Sequence, residues 1–586
     1  MALLRSILFA ALALWAVSCS DDGGTRPDAA LPDAARPDLA VDVTLSDVGD
    51  LTVDSTLADT LPPDAPCPDP GVTLASGVIV SPTQLAPGGQ ATVTYPAGAL
   101  LAGGASVTLH YGFNYWDLDL GGDVAKDAPM TKQADGSFTI SVPLAAGARL
   151  LDMAFFSETS SGKQWDNNGG ADFHRSVGVP LLGPYLTLRD NLGGQPDRDP
   201  SQGITINFRT DHPCVGQVRY GTSATAMTQF AAESVAATQH HLHLKGLAPD
   251  TLHHYQTGCV LAGACSPPET SPTFSFRTAK KGATALKLVL LSDPQDYRAQ
   301  NDRWPEVAAA LTQPPHDDAR LLIISGDLAG DDEPLRWWDF FDGGRALLAS
   351  RPVVPAVGNH DTPSYSSNAD TSSFESLFAF ESASGSETYY GLTYGPAAFL
   401  VLNSELSQTS PDEWKPGGSQ YQWAASFLAK PSPWRFATWH IPPYNAGVRH
   451  SGQVDAVRPV TALFNDKIDW VLGGHEHLYQ RFKPIRFVEL DSAGKVVSTA
   501  VASHGGPGGG VGYIVAPAAG HDPPEDTLLP VGNPMRDLIA YPTLAGTTVD
   551  KWVGFVTIQI TGKTITIQAT DLDQATPRDT LTYTRP

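Results

Sequence analysis

Two spacings of apolar residues divide the chain. Between Gly71 and about Lys281 the apolar residues come in short alternating runs separated by Gly, Pro and Asp. Examples are Ala91-Thr-Val-Thr-Tyr95, Ala105-Ser-Val-Thr-Leu-His110, Phe138-Thr-Ile-Ser-Val-Pro143, Gly203-Ile-Thr-Ile-Asn-Phe-Arg209 and Thr273-Phe-Ser-Phe-Arg-Thr278. Alternation puts successive side chains on opposite faces, so these runs predict strands of two all-β sandwich units, 71–179 and 180–282. After Ala285 the runs become continuous and each ends in a polar residue. They are Leu286-Lys-Leu-Val-Leu-Leu-Ser-Asp293, Arg320-Leu-Leu-Ile-Ile-Ser-Gly-Asp327, Pro352-Val-Val-Pro-Ala-Val-Gly-Asn-His-Asp361, Trp434-Arg-Phe-Ala-Thr-Trp-His440 and Asp469-Trp-Val-Leu-Gly-Gly-His-Glu-His477. Helix-compatible segments at 303–311 and 420–428 lie between them. Strands buried on both faces, alternating with helices, predict an α/β layered domain over 283–586 whose ligands gather at the carboxyl ends of strands. A chain of 586 residues requires such a multidomain division, because a single core stops growing at roughly 250–300 residues.

The first residues change the cellular picture. One early arginine, an apolar run from Ile7 to Val17 and then Ser18-Cys19 predict a signal peptide over 1–19. Ala16-Val17-Ser18-Cys19 resembles a bacterial lipobox, with alanine where leucine is commoner, and implies lipidation of Cys19. The expectation is an exported lipoprotein at the cell envelope or surface, touching the membrane only through its anchor. Residues 20–70 repeat Pro-Asp near Pro27, Pro32 and Pro37, carry twelve Asp against two Arg and lack aromatic residues. Such a stretch cannot offset its ordering entropy and reads as an acidic, extended linker. The whole chain has a net charge of -24, which excludes nucleic acid or an anionic membrane as a partner held by charge. After Cys19, the remaining cysteines are Cys67, Cys214, Cys259 and Cys265. Four allow three pairings, of which Cys259 with Cys265 is the easiest, and no pair has zinc-site spacing.

Three resemblances sharpen the chemistry. His110-Tyr-Gly-Phe-Asn-Tyr-Trp116 and Lys163-Gln-Trp-Asp-Asn-Asn-Gly-Gly170 resemble the two signature stretches of starch-binding carbohydrate modules. They imply Trp116 and Trp165 as stacking platforms for a starch-like glycan, with His110 and Asn167 as polar partners; core tryptophans in a spacer are the alternative. Val218-Arg-Tyr-Gly221, His241-Leu-His-Leu-Lys-Gly-Leu-Ala-Pro249 and Phe274-Ser-Phe-Arg-Thr278 resemble the fibronectin-type domain that precedes the catalytic domain of purple acid phosphatases. His240, His241, His243, His253 and His254 are there expected to pack rather than bind metal.

The polar strand ends after Ala285, taken in order, resemble the calcineurin-like metallophosphoesterase pattern. That resemblance implies one metal ion on Asp293, Asp327 and His477 with Gln295 as a further donor, and a second on Asp327, Asn359, His440 and His475. Mixed oxygen and imidazole donors suit two divalent ions such as Mn, Zn or Fe without choosing among them. The resemblance also gives His360 the leaving-group oxygen, with Asp361 orienting its ring, and His450 a substrate-facing place. Tyr479 and Arg481 are expected to brace the loop. One departure is visible: Gly330 stands three residues after Asp327, where purple acid phosphatases place tyrosine. The resulting expectation is a two-metal hydrolase of phosphate monoesters. A phosphodiesterase or nucleotidase, or a glycan-binding surface lipoprotein with an inactive phosphoesterase domain, are the alternatives.

Overall fold

The computed structural model describes Asp69 and residues 71–118, 123–178, 180–261, 269–295, 303–363, 370–450, 454–490, 496–504, 509–520, 527–542 and 546–585. The expected signal peptide, Cys19 and the expected linker, apart from Asp69, lie outside the described residues. Cys67–Pro586 form one compact unit.

Its N-terminal part is a two-sheet sandwich. Gln90–Tyr95 pairs antiparallel with Phe138–Pro143 in one sheet, and Thr108–Phe113 pairs with Leu150–Thr159 in the other. The inward residues Val93, Tyr95, Leu109, Leu151, Met153 and Phe155 form a common buried core, as the alternation predicts.

The second β-rich region departs from the expected free-standing sandwich. Leu182–Thr187 pairs antiparallel with the long strand Ile204–Gly221 on one side and parallel with Pro352–Pro355 on the other. One sheet therefore runs from the strands of this second β-rich region into the α/β region, and 282 is not a boundary of that sheet. Every residue of Leu182–Thr187 is buried, so this strand lacks the polar alternation that would mark a sandwich edge. The disulfide also departs from expectation. Cys259 is bonded to Cys214, because antiparallel pairing sets Gly216 opposite Cys259 and brings Cys214 alongside; Cys265 lies outside the described residues.

The α/β region is built on two sheets. Ala285–Leu291, Leu321–Ile324 and Pro352–Pro355 run parallel in the first. In the second, Ala397–Val401, Trp434–Thr438, Trp470–Gly473 and Gly512–Val515 are parallel. The C-terminal strands Gly554–Thr561, Thr564–Asp571 and Asp579–Thr584 extend the first sheet antiparallel. Helices Trp304–Leu311 and Ser419–Leu428 fall where the spacing predicts them.

Candidate metal centre

The expected ligands meet where the carboxyl ends of the two sheets face each other. Asp293, Asp327 and Asn359 follow strands of the first sheet; His440, His475 and His477 follow strands of the second. Asp293, Asp327, His475 and His477 all have φ between 51° and 72°. Non-glycine residues reach this left-handed region at a cost, and a cluster of four at one point marks backbone held for function. Gly358 makes a close approach possible: a Cβ there would lie 2.2 Å from the Asp327 nitrogen and Oδ1.

The donor atoms form two groups sharing Asp327: Asp293, Asp327 and His477 in one, Asp327, His440 and His475 in the other. His440 Nε2 lies 3.1 Å from Asp327 Oδ2, 3.2 Å from Asn359 Oδ1 and 3.1 Å from His475 Nδ1. His477 Nε2 lies 3.2 Å from Asp293 Oδ1 and 3.4 Å from Gln295 Nε2. His440 Nδ1 donates to the Ser325 carbonyl at 2.8 Å; a carbonyl only accepts, so this bond fixes the tautomer and turns Nε2 inward.

The centre's electrostatics ask for cations. Burial disfavours an imidazolium at His440, yet Asp327, Asp293 and Glu405 outweigh it and push its pKa up to about 10. Burial likewise works against the Asp327 carboxylate, but His440 and His360 hold its pKa well below the usual range. Gln295 Oε1 is buried and accepts no hydrogen bond among the described residues. Buried acceptors are normally satisfied, and turning the Gln295 amide over would bring its oxygen to the His477 side. These residues therefore fit two metal ions, with Asp327 between them.

His360 sits at the edge of this cluster. Its backbone N donates to Asp327 Oδ1 at 2.8 Å, its Nδ1 donates to the Gly330 carbonyl at 3.0 Å, and its Nε2 is 3.9 Å from Asp327 Oδ2. The expected role of Asp361 requires correction. Its oxygens accept from the backbone nitrogens of Ala329 and Gly358, at 2.9 and 2.8 Å, so it shapes the Asp327 and Asn359 turns while Gly330 orients the His360 ring. Burial, followed by Asp327, raises the Asp361 pKa well above its ordinary value.

Sequence reasoning missed Glu476, which lies between two ligands and reads as a spacer. It is fully buried. Its carboxylate accepts from Asn445 Nδ2 at 2.7 Å and from the backbone nitrogens of Arg449 and His450 at 3.2 and 3.1 Å. The loop so held sets the His450 ring 4.0 Å from that of His475, tilted by 39°. Burial, then Arg449 and His477, lowers the His450 pKa to about 4. Tyr479 and Arg481 both bind Asp579, at 2.9 and 2.6 Å, tying the end of the site loop to the last strand.

On the sandwich, His110 lies between the two tryptophans, with ring centroids 5.1 Å from Trp116 and 5.5 Å from Trp165. Trp165 is 42% exposed, and Trp116 is half-buried with its indole nitrogen donating to Asp172 at 2.9 Å. Asn167 follows the strand Gly162–Asp166, and its carbonyl accepts from Gly170 and Asp172.

Residues 286–479 match the calcineurin-like phosphoesterase family, and residues 195–278 match the purple acid phosphatase N-terminal domain. The chain thus carries a calcineurin-like metallophosphoesterase domain behind a purple acid phosphatase N-terminal domain. Among curated proteins it is similar to purple acid phosphatase 21 of Arabidopsis thaliana, 28% identical over 301 residues, which are 49% of this chain and 63% of that protein. Probable purple acid phosphatase 20 of the same plant is 28% identical over 325 residues, 50% of this chain and 69% of the relative. The solved purple acid phosphatase from yellow lupin (Lupinus luteus) seeds shares the fold, with a TM-score of 0.56 at 15% identity, over 85% of this chain and 93% of that one.

Proposed function

We propose that the chain is an exported, metal-dependent hydrolase of phosphate monoesters, anchored through Cys19 and tethered to glycan through its sandwich. The observation that carries the hydrolase reading is the pair of donor groups sharing Asp327. Two ions bound there supply activated water and positive charge for the phosphoryl oxygens. Asp293, Gln295, Asp327 and His477 would hold one; Asp327, Asn359, His440 and His475 the other. His360 is placed to give a proton to the leaving oxygen: Nδ1 is engaged by Gly330, which leaves Nε2 as the exchanging nitrogen. Glu476 keeps the loop bearing His450 against the second group. Positive charge for an anionic substrate, in a chain that is acidic elsewhere, would come from the two ions rather than from this loop.

A screen of phosphate monoesters and diesters with parallel metal analysis tests this. Metal-dependent turnover fastest on monoesters is expected; faster diester turnover would favour the phosphodiesterase or nucleotidase reading. Glycan retention with no turnover in metal-loaded protein would favour the surface-lectin reading.

The glycan part rests on the grouping of His110, Trp116 and Trp165 with an exposed indole, since sugars offer flat CH faces to such rings. Full-length protein should be retained on insoluble starch, and Trp116→Ala with Trp165→Ala should release it; unchanged retention would refute the platform. Labelled fatty acid should enter the wild type and not Cys19→Ser.

A further inference from the structure

The fibronectin-like strands hold a second set of metal-competent side chains. Thr210, His212 and Cys214 share the buried face of Ile204–Gly221, and Cys259 and His240 reach the same spot from the two neighbouring strands. His212 Nε2 lies 3.2 Å from Cys259 Sγ, and His240 Nε2 lies 3.8 Å from Cys214 Sγ. His212 Nδ1 donates to Asp211 at 2.6 Å and His240 Nδ1 donates to Glu233 at 2.6 Å. Gly216 leaves room for the second pair, since a Cβ there would sit 2.4 Å from His240 Nδ1 and 2.6 Å from Glu233 Oε2.

This pattern is apt for a cation. A carboxylate only accepts, so each imidazole carries a proton on Nδ1 and presents Nε2 as the nitrogen facing sulfur. Thr210 Oγ1, 3.2 Å from His240 Nε2, also donates to the His212 carbonyl at 2.8 Å. His212, Cys214, Cys259 and His240 are all at least nine-tenths buried. The donor atoms of His212, Cys214 and Cys259 lie within 4.8 Å of one another, the scale of a tetrahedral shell with metal–sulfur and metal–nitrogen bonds of roughly 2.3 and 2.0 Å.

We propose that reduction of Cys214–Cys259 converts this disulfide into a Cys2His2 site for one zinc-class cation, ligated by His212, Cys214, Cys259 and His240. With a phosphine as reductant, the S–S bond breaks and the phosphine becomes its oxide. Water supplies that oxygen and the two thiol protons. Binding of Zn2+ then expels both protons, leaving a site whose two thiolates balance the ion's charge inside a buried region. Asp211 and Glu233 are positioning residues, fixing the imidazole tautomers.

The test uses the full chain, phosphine-reduced without oxygen, titrated with Co2+ and Zn2+ beside the unreduced protein. A thiolate-to-cobalt charge-transfer band needs sulfur, which the candidate metal centre lacks, so that centre cannot give rise to the band. The reduced protein should show this band at one ion per chain and bind one more Zn2+ than the oxidised protein. In a Cys19→Ser, Cys67→Ser, Cys265→Ser background the band should persist. His212→Gln and His240→Gln should each weaken binding at least tenfold, and Glu233→Gln about tenfold. No band in the reduced wild type, or one unchanged in the His212→Gln, His240→Gln double variant, would overturn the proposal. Those two measurements decide it even if the serine background does not fold.

Discussion

Replacing Glu476 by Gln should uncouple substrate handling from metal binding. The carboxylate is fully buried and accepts three N–H groups of the 445–450 loop, from Asn445, Arg449 and His450. Glutamine has the same shape but only one accepting oxygen; its NH2 end must face at least one of those donors. A hydrogen bond to a charged group contributes about 1.5–3 kcal/mol, and a stranded buried donor costs about 1–3 kcal/mol. Losing the charge and stranding one donor therefore destabilises the seated loop by about 3 kcal/mol, close to a hundredfold at about 1.4 kcal/mol per decade. Gly447 offers no escape for a shifted side chain, as even its absent Cβ position lies 1.7 Å from Glu476 Oε1. The expected result is a roughly hundredfold fall in kcat/KM with metal content unchanged, because His450 moves and no ligand is removed. Asn445→Ala, which deletes one donor and leaves the carboxylate, should cost less. Wild-type kcat/KM in Glu476→Gln would refute the reasoning; so would loss of metal in proportion to activity.

His360→Ala should lower turnover by about 10²–10⁴ with metal retained; loss of metal would show that His360 belongs to the ligand shell. Burial lowers the His504 pKa from 6.5 to about 4, between the rings of Trp470 and Tyr583. The unfolded chain takes that proton first, so the neutral ring's contribution, up to about 3 kcal/mol, is full above pH 6.5 and lost as pH falls toward 4. Denaturation from pH 7 to 4 should show a flatter stability profile for His504→Phe than for wild type, and identical slopes would contradict this. Because glycine occupies position 330, the purified protein should be colourless and hold two divalent ions; a strong phenolate-to-iron band in its visible spectrum would show that another tyrosine has taken the place.

The catalytic half was legible because continuous apolar runs ending in Asp, Asn or His announce both strands and their chemical ends. Asp293, Asp327, His475 and His477 could thus be placed at one point without coordinates. The role of Asp361 was not legible, since adjacency to His360 in sequence says nothing of which backbone nitrogens its oxygens meet across the turn. Glu476 was hidden for a related reason: its partners come from a loop some thirty residues earlier. The disulfide and the place of Leu182–Thr187 between Ile204–Gly221 and Pro352–Pro355 in one sheet both depend on strand register and neighbour choice, which are long-range properties. Alternation in Ile204–Gly221 does place His212 and Cys214 on one face, but only the neighbouring strands supply Cys259 and His240.

The most direct test of the central claim is a metal titration of chelator-stripped, non-reduced protein, following hydrolysis of a phosphate monoester against ions bound per chain. Turnover should be absent without metal and rise to its maximum as two ions bind, while Asp327→Ala, which removes the carboxylate shared by both donor groups, should restore neither the second ion nor activity. Full turnover by the metal-free protein, or by Asp327→Ala, would contradict the account.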